Sequence, residues 1–521
     1  MTEGGPIARK TTTQTDPELN ELTQQSTYIE DGAAAHLSQD HRAYLLERHG
    51  TLALDPIPSA DPADPYNWPS WKKNINLVLV AFHACMTTFF AAGIIPAFED
   101  IAMDLDCSLQ RASYLVSCQI AVLGWAPLFW KPISNRYGRR PVWLISTILA
   151  GVCNIGCAES HSYGAMAACR CLVAFFISPA IAIGSGVVVE TFFKKDRGQK
   201  MGIWTLMVTL GPPGGPFFMG FVAYHVGYRW IYWIFAIINA VQFFGYFFFG
   251  PETRYIRQGV THSGSAFKKE YFTFGRIDPK PLSFIEFIQP AFLARYPSIL
   301  IPTISYTVVF GFASVFLTVE IPQIFIPKFG LNPQQQGLQF LGLIIGSIIG
   351  EQLGGPLSDF WINRKTKKVG GAGMRPKAEY RLWLSYLGFL LTIVGLIVFG
   401  IRTQQATPKD WNMTPIVGIA LAACGNQIIT TVLVTFAVDC HQEHSSSIGV
   451  FVNLVRSTWG FIVPFWSPNM ITSIGMSGSG GLMAGLIFAC SVVPVVLLHA
   501  NGWKWRVKRG DRESAEGQRG D

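Results

Sequence analysis

GPPGGPFFMG fills residues 211–220, with four glycines and three prolines in ten positions. Between polar segments this composition reads as a loop. Here TLMVTL (205–210) precedes it and FVAYHV (221–226) follows it. The stretch therefore belongs inside an apolar span, 201–222. In such a span glycine lets a neighbouring helix come close, while proline removes a backbone donor and bends the chain. Those residues fit a packing seam and a moving element equally well.

The whole chain supports the embedded reading. Of 521 residues, 50% are hydrophobic and 14% charged. A soluble chain this long needs more polar surface, so the protein reads as a membrane protein. Spans near the length of one crossing fall at 75–98, 112–133, 141–158, 163–190, 201–222 and 228–250. A second set falls at 298–319, 336–358, 381–401, 412–438, 446–470 and 479–502. Open backbone groups are costly in lipid, so each crossing is expected to be a helix. Residues 1–74 read as a polar, largely disordered tail without the pattern of a secretory leader. The six-span sets then cover 75–250 and 298–502, with a central loop at 251–297 and a second tail at 503–521.

The formal charge is +8, and it collects in alternate loops. Arg136, Arg139 and Arg140 fill one, and Lys194, Lys195, Arg197 and Lys200 the next. Arg364, Lys365, Lys367, Lys368, Arg375 and Lys377 fill a third, and Lys504, Arg506, Lys508 and Arg509 follow the last span. This bias places both termini and the central loop in the cytoplasm, the plasma membrane being the expected location. It accounts for the basic balance without a nucleic-acid partner. Asn412, in the sequon NMT, falls on the outer side as a glycosylation candidate. The ten cysteines lack metal-ligand spacing and read as small buried hydrophobes. No phosphate-binding GxxxxGK[ST] segment occurs, so no nucleotide cofactor is expected.

The two halves echo each other. KPISNRYGRR (131–140) aligns with GPLSDFWINR (355–364), each closing the second span of its half. Repeated halves suit a site between them that opens to each side in turn.

Several motifs together carry a resemblance. Gly211, Pro212, Gly215, Pro216 and Gly220 resemble the fifth-helix motif of major facilitator transporters of the fungal drug:proton antiporter type, with Met219 replacing one glycine. PLFWKPISNRYGRR (127–140) is similar to the family motif after the second helix, with Asn135 where an acid is usual and Asp359 retained in the second half. Arg170 in ACRCLVAF, Glu190, Arg197, Gly198 and Gly202 around ETFFKKDRGQKMGIW, GPET (250–253) and RPKAEYRL (375–382) fit as well. FAVDCHQEHSSSIGVFVNLVRSTWGF adds Asp439, Asn453 and Arg456. The leader YLLERHGTLALDP (44–56) is similar to the branch containing broad-specificity cation and polyamine permeases. The resemblance implies an all-α membrane protein of the major facilitator fold, with twelve transmembrane helices in two pseudo-symmetric six-helix bundles. It implies a non-enzymatic, monomeric carrier with the proton as coupling ion, and its fifth-helix motif implies export.

Polar residues inside or beside the spans are the candidates for chemistry. Glu351, two turns deeper than Asp359, leads for proton or cation coupling. Arg170, buried or reaching toward the outer interface, follows with His83, Asn426 and Gln427. Glu320, just past the seventh span, is an outer cation contact or an interface residue. Arg139, Arg140, Asp359 and Arg364 are expected to pair across the inner seam between halves. Glu190 with Arg197, and Asp439 with Arg456, offer further latches. Trp125, Trp130 and Trp204 are candidate cavity walls. The expected function is proton-coupled export of a small organic compound by alternating access. Uptake of cations or polyamines, or a non-transporting sensor or scaffold, are the alternatives.

Overall fold

The computed structural model describes residues 37–52, 54–257, 266–272, 275–279, 281–369, 378–441 and 444–508. Among them every regular element is helical. The first half crosses through Ser70–Ala92, Leu109–Tyr137, Arg139–Ala158, Tyr163–Thr191, Lys194–Val226 and Arg229–Phe249. The second half crosses through Pro297–Phe329, Leu341–Val369, Trp383–Gln405 and Thr414–Cys440. A last apolar run of 59 residues, Ser447–Trp505, follows. As one straight helix it would be about 90 Å long, three times the hydrocarbon thickness. It turns instead at Gly475, whose φ of 71° breaks the helix, and so supplies the eleventh and twelfth spans. The side chain of Gln404 accepts from the Ser477 N–H at 2.7 Å just beyond the turn. We call the end of the bundle where the first span begins and the twelfth ends the terminal face, and the other end the far face.

Glycine sets how closely these helices pack. Gly342, Gly346, Gly350 and Gly354 recur every fourth residue, so they form one stripe on the eighth span. A Cβ at Gly346 would sit 2.2 Å from the Ala420 carbonyl, and one at Gly350 2.5 Å from that of Cys424. The tenth span thus rests backbone-close against the eighth, where dispersion and packing hold it. Residues 211–220 do the same for the fifth. A Cβ at Gly211 would meet Thr88 Oγ1 at 1.9 Å, and one at Gly215 the Phe89 carbonyl at 2.6 Å, both on the first span. Gly220 faces the other half: a Cβ there would lie 2.7 Å from the Pro333 carbonyl, and one at Gly337 2.7 Å from that of Pro216. The three prolines leave the fifth helix unbroken from Lys194 to Val226.

Several boundaries differ from the sequence expectation. The seventh span runs on through a π-helical segment, Gly311–Phe316, to Phe329. Glu320 therefore lies within it. The eighth runs to Val369, so Asp359 and Arg364 stand on a helix rather than in a loop. The expected disordered tail is structured from residue 37. Helix Gln39–His49 starts at the Ser38 cap and stops at left-handed Gly50. Arg48 donates to the Asn67 carbonyl at 2.7 and 3.0 Å. Asp64 accepts both arms of Arg257 at 2.8 and 2.9 Å, and the Tyr66 hydroxyl donates to the Val189 carbonyl at 2.5 Å. This segment straps the terminal ends of the first, fourth and sixth spans together. Residues 1–36 and 509–521 lie outside the described residues.

Candidate functional site

Between the halves lies a cavity of about 190 Å³. Its walls come from both halves and are mostly apolar, including Ile120, Leu123, Val208, Val315 and Leu343. The π-helical segment contributes Ala313, Ser314 and Val315. Such a segment widens one turn and turns side chains that a regular helix would stack elsewhere. Pro212 and Pro213 of the fifth-span motif also reach the wall.

Two polar groupings stand at this cavity. In the first, the Gln427 amide donates to Glu351 Oε2 at 2.5 Å and to Thr209 Oγ1 at 3.2 Å. Thr431 adds a hydroxyl donor to the same Glu351 oxygen at 3.3 Å. One side chain of the tenth span thereby ties a carboxylate on the eighth to the fifth span of the opposite half. Asn426 lines the cavity with its amide oxygen buried and without a partner. In the second grouping, half-buried Arg456 donates to Asn453 Oδ1 at 2.9 and 3.2 Å and to the Tyr306 hydroxyl at 3.2 Å. Its guanidinium carbon lies 4.8 Å from the Phe310 ring centre. Asn453 in turn donates to the Leu123 carbonyl of the other half at 2.9 Å. Arg456, expected beside Asp439 as a latch, belongs to the cavity instead.

The remaining spanning candidates sit elsewhere. Arg170 does not reach the outer interface. It is 2% exposed and donates to the carbonyls of Ala91 (2.9 Å) and Leu115 (3.2 Å). Ala91 stands in the last turn of the first span, so Arg170 satisfies a carbonyl the helix leaves open. His83 is fully buried, 3.2 Å from the Tyr246 hydroxyl and 3.5 Å from that of Ser146. Glu320 is not an outer contact: it is 1% exposed and accepts from the Ser467 hydroxyl at 2.7 Å. None of these lines the cavity, and neither do Trp125, Trp130 or Trp204. Trp125 is exposed, and Trp130 donates to the Phe175 carbonyl at 2.8 Å.

At the terminal face, arginines beside the aligned serines pair with acids of their own half. Arg139 donates to Glu190 at 2.9 Å and to Ser134 Oγ at 2.5 Å. Arg381 donates to Asp439 at 3.1 Å and to Ser358 Oγ at 2.8 Å. Ser134 and Ser358 are the aligned serines of the two halves, so the triads are related by the repeat. Arg140 spends its guanidinium on the carbonyls of Phe247 (2.9 Å), Tyr271 (3.2 Å), Tyr246 and Gly250 (both 3.4 Å). Arg197 reaches the Tyr66 hydroxyl at 3.4 Å rather than Glu190. Arg364 is exposed, and the side chain of Asp359 lies outside the described residues. Arg139 and Arg140 are therefore held by the first half and the segment after it rather than across the seam, while the part expected of Asp359 lies outside the described residues. Across the seam at this face, Lys131 donates to Ser447 Oγ at 2.8 Å.

Sequence reasoning missed Glu252 and Arg381. Glu252 accepts from the backbone N–H groups of Arg139, Arg140 and Arg254 at 2.8, 2.9 and 2.8 Å. It caps the third span, whose own N-terminus has no side-chain cap. Burial pushes its carboxyl above the ordinary range, and the three N–H donors work against that rise. The signals were the acid in GPET and the helix start at GRR, but only the fold brings them together. Among the described residues no group of acids, histidines and cysteines is arranged to hold a metal.

The Major Facilitator Superfamily model matches residues 77–464. The probable efflux pump mfs2 of Aspergillus flavus is 26% identical, covering 81% of this chain and 99% of that one. The MFS-type transporter atr4 of Stereocaulon alpinum is 27% identical over 84% of this chain and 79% of its own. Among solved structures, the human organic anion transporter MFSD10 aligns with a TM-score of 0.56 at 15% identity, covering 83% of this chain and all of that one. The chain belongs to the Major Facilitator Superfamily and is a membrane transporter, not an enzyme.

Proposed function

We propose that this transporter exports a small organic compound in exchange for protons, by opening its central cavity alternately to each side. The observation that carries the coupling is Gln427, held at once by Glu351 and by Thr209 of the opposite half. An ionised Glu351 accepts from the amide. Protonation changes its hydrogen-bonding oxygen into a donor and removes its charge, which releases or re-aims Gln427. The contact between halves then depends on the proton, as a two-state carrier requires. The fifth-span motif and the efflux pumps among the relatives support export. The basic residues at the terminal face support placing that face, both termini and the 251–297 segment in the cytoplasm, with the plasma membrane as site.

Reconstitution of the full chain into liposomes with an imposed pH gradient tests the reading. Fluorescent organic anions and cations serve as cargo, and an internal pH dye reports protons. The wild type is expected to move cargo and protons in opposite directions. Glu351→Gln is expected to abolish proton-coupled flux while cargo binding and thermal stability stay near wild type. Coupled flux of wild-type size in that variant overturns the role of Glu351, and flux in neither direction overturns the transport reading.

A further inference from the structure

The walls of the central cavity carry one charged side chain among the described residues, and it is Arg456. From this we infer that the cargo bears an anionic group, a carboxylate, sulfonate or phosphate, on an otherwise apolar body. The inference rests on the transport reading and narrows it.

An arginine at mid-membrane is costly unless something answers its charge. Around Arg456 the partners are neutral dipoles: the Asn453 amide oxygen, the Tyr306 hydroxyl and the face of the Phe310 ring. They orient the guanidinium without neutralising it. No carboxylate of a described residue lies within ion-pair distance of it. The two acids of the neighbouring spans do not offset it at the wall. Glu320 is sealed against Ser467, and Glu351 accepts from Gln427; neither lines the cavity. Low surrounding polarity strengthens what remains of the field. A planar guanidinium also matches the two oxygens of an anionic group better than an ammonium does.

The rest of the lining fixes the rest of the cargo. Ile120, Leu123, Val315 and Leu343 offer apolar surface, so the body is hydrocarbon or aromatic. The unpartnered amide oxygen of Asn426 is an acceptor awaiting a hydroxyl or N–H. A cationic amine or polyamine would meet like charge at the wall, where no lining residue is an acid. This departs from the cation branch that the leader sequence resembles.

Three probes with one ring system and different charge test the assignment: 1-naphthoate, 1-naphthamide and 1-naphthylmethylammonium. Equilibrium binding to the full chain in detergent micelles is read by the probe's fluorescence. The wild type is expected to bind 1-naphthoate at least about tenfold more tightly than either other probe, the scale of one charge-assisted hydrogen-bonded contact. Arg456→Gln is expected to erase that preference and Arg456→Lys to keep part of it. The wild-type comparison stands even where a variant fails to fold. Equal or tighter binding of the ammonium, an unchanged naphthoate affinity in a folded Arg456→Gln protein, or no binding of any probe overturns the assignment. Liposome flux separates this from the broader reading. Arg456-dependent naphthoate binding without flux keeps the anion site and sinks transport. Ammonium flux without naphthoate binding does the reverse.

Discussion

At the terminal face the first half holds Arg139 between Ser134 and Glu190, while the second holds Arg381 between Ser358 and Asp439. The parts correspond, but the setting does not. In the first half, Gly138 at φ 96° ends the second span, and the third begins at the next residue. Ile362 stands at the aligned position in the second half, and there the helix continues to Val369. The arginine that completes the second triad must then come from further along the chain, in the 3-10 turn Ala378–Leu382 just before the ninth span. The first triad is also the more enclosed, with Glu190 17% and Asp439 33% exposed. Repetition has preserved the chemistry of the corner while the route of the backbone into it has changed.

Four substitutions sharpen or break this comparison. Arg139→Ala leaves Glu190 without its closest cation in an enclosed site, and about 3 kcal/mol of stability should go. A thermal or denaturant titration in micelles measures it, and a loss below that of Arg381→Ala would contradict the ranking. Gly138→Ala places a Cβ 2.4 Å from Glu252 Oε2 at a φ that disfavours side chains. About 2 kcal/mol should be lost, with lower yield of folded protein. Arg381→Ala should cost about 1 kcal/mol, because Asp439 has access to water. Ile362→Gly adds a glycine inside a helix and should cost about 1 kcal/mol or less. If Ile362→Gly instead matched Gly138→Ala in effect, the two corners would be more alike than their backbones indicate.

The same contrast explains what was legible in the sequence. Apolar runs and alternate basic loops reveal crossings because bilayer thickness and backbone desolvation act on each segment locally. The serine register of the repeat was visible too. Alignment alone points to Arg364 for the second corner, because it cannot tell that Ile362, unlike Gly138, lets a helix run on. Glu252 is not legible in the sequence because its role depends on three N–H groups, two of them more than a hundred residues away. Glu320 reads as lying outside its span because the seventh helix runs on through the π-helical segment to Phe329, past its most apolar stretch. The sequence reads Arg456 as a latch beside Asp439; its placement at the cavity follows only from the eleventh span's orientation.

The far face differs in kind from the terminal one at Gly220 and Gly337, where main chain meets main chain across the halves. Such a join offers no ions for dissolved salt to screen and nothing long to unhook. Its parting should respond to how tightly surrounding lipid squeezes the bundle, so acyl-chain length and temperature, more than ionic strength, should govern how readily that mouth opens.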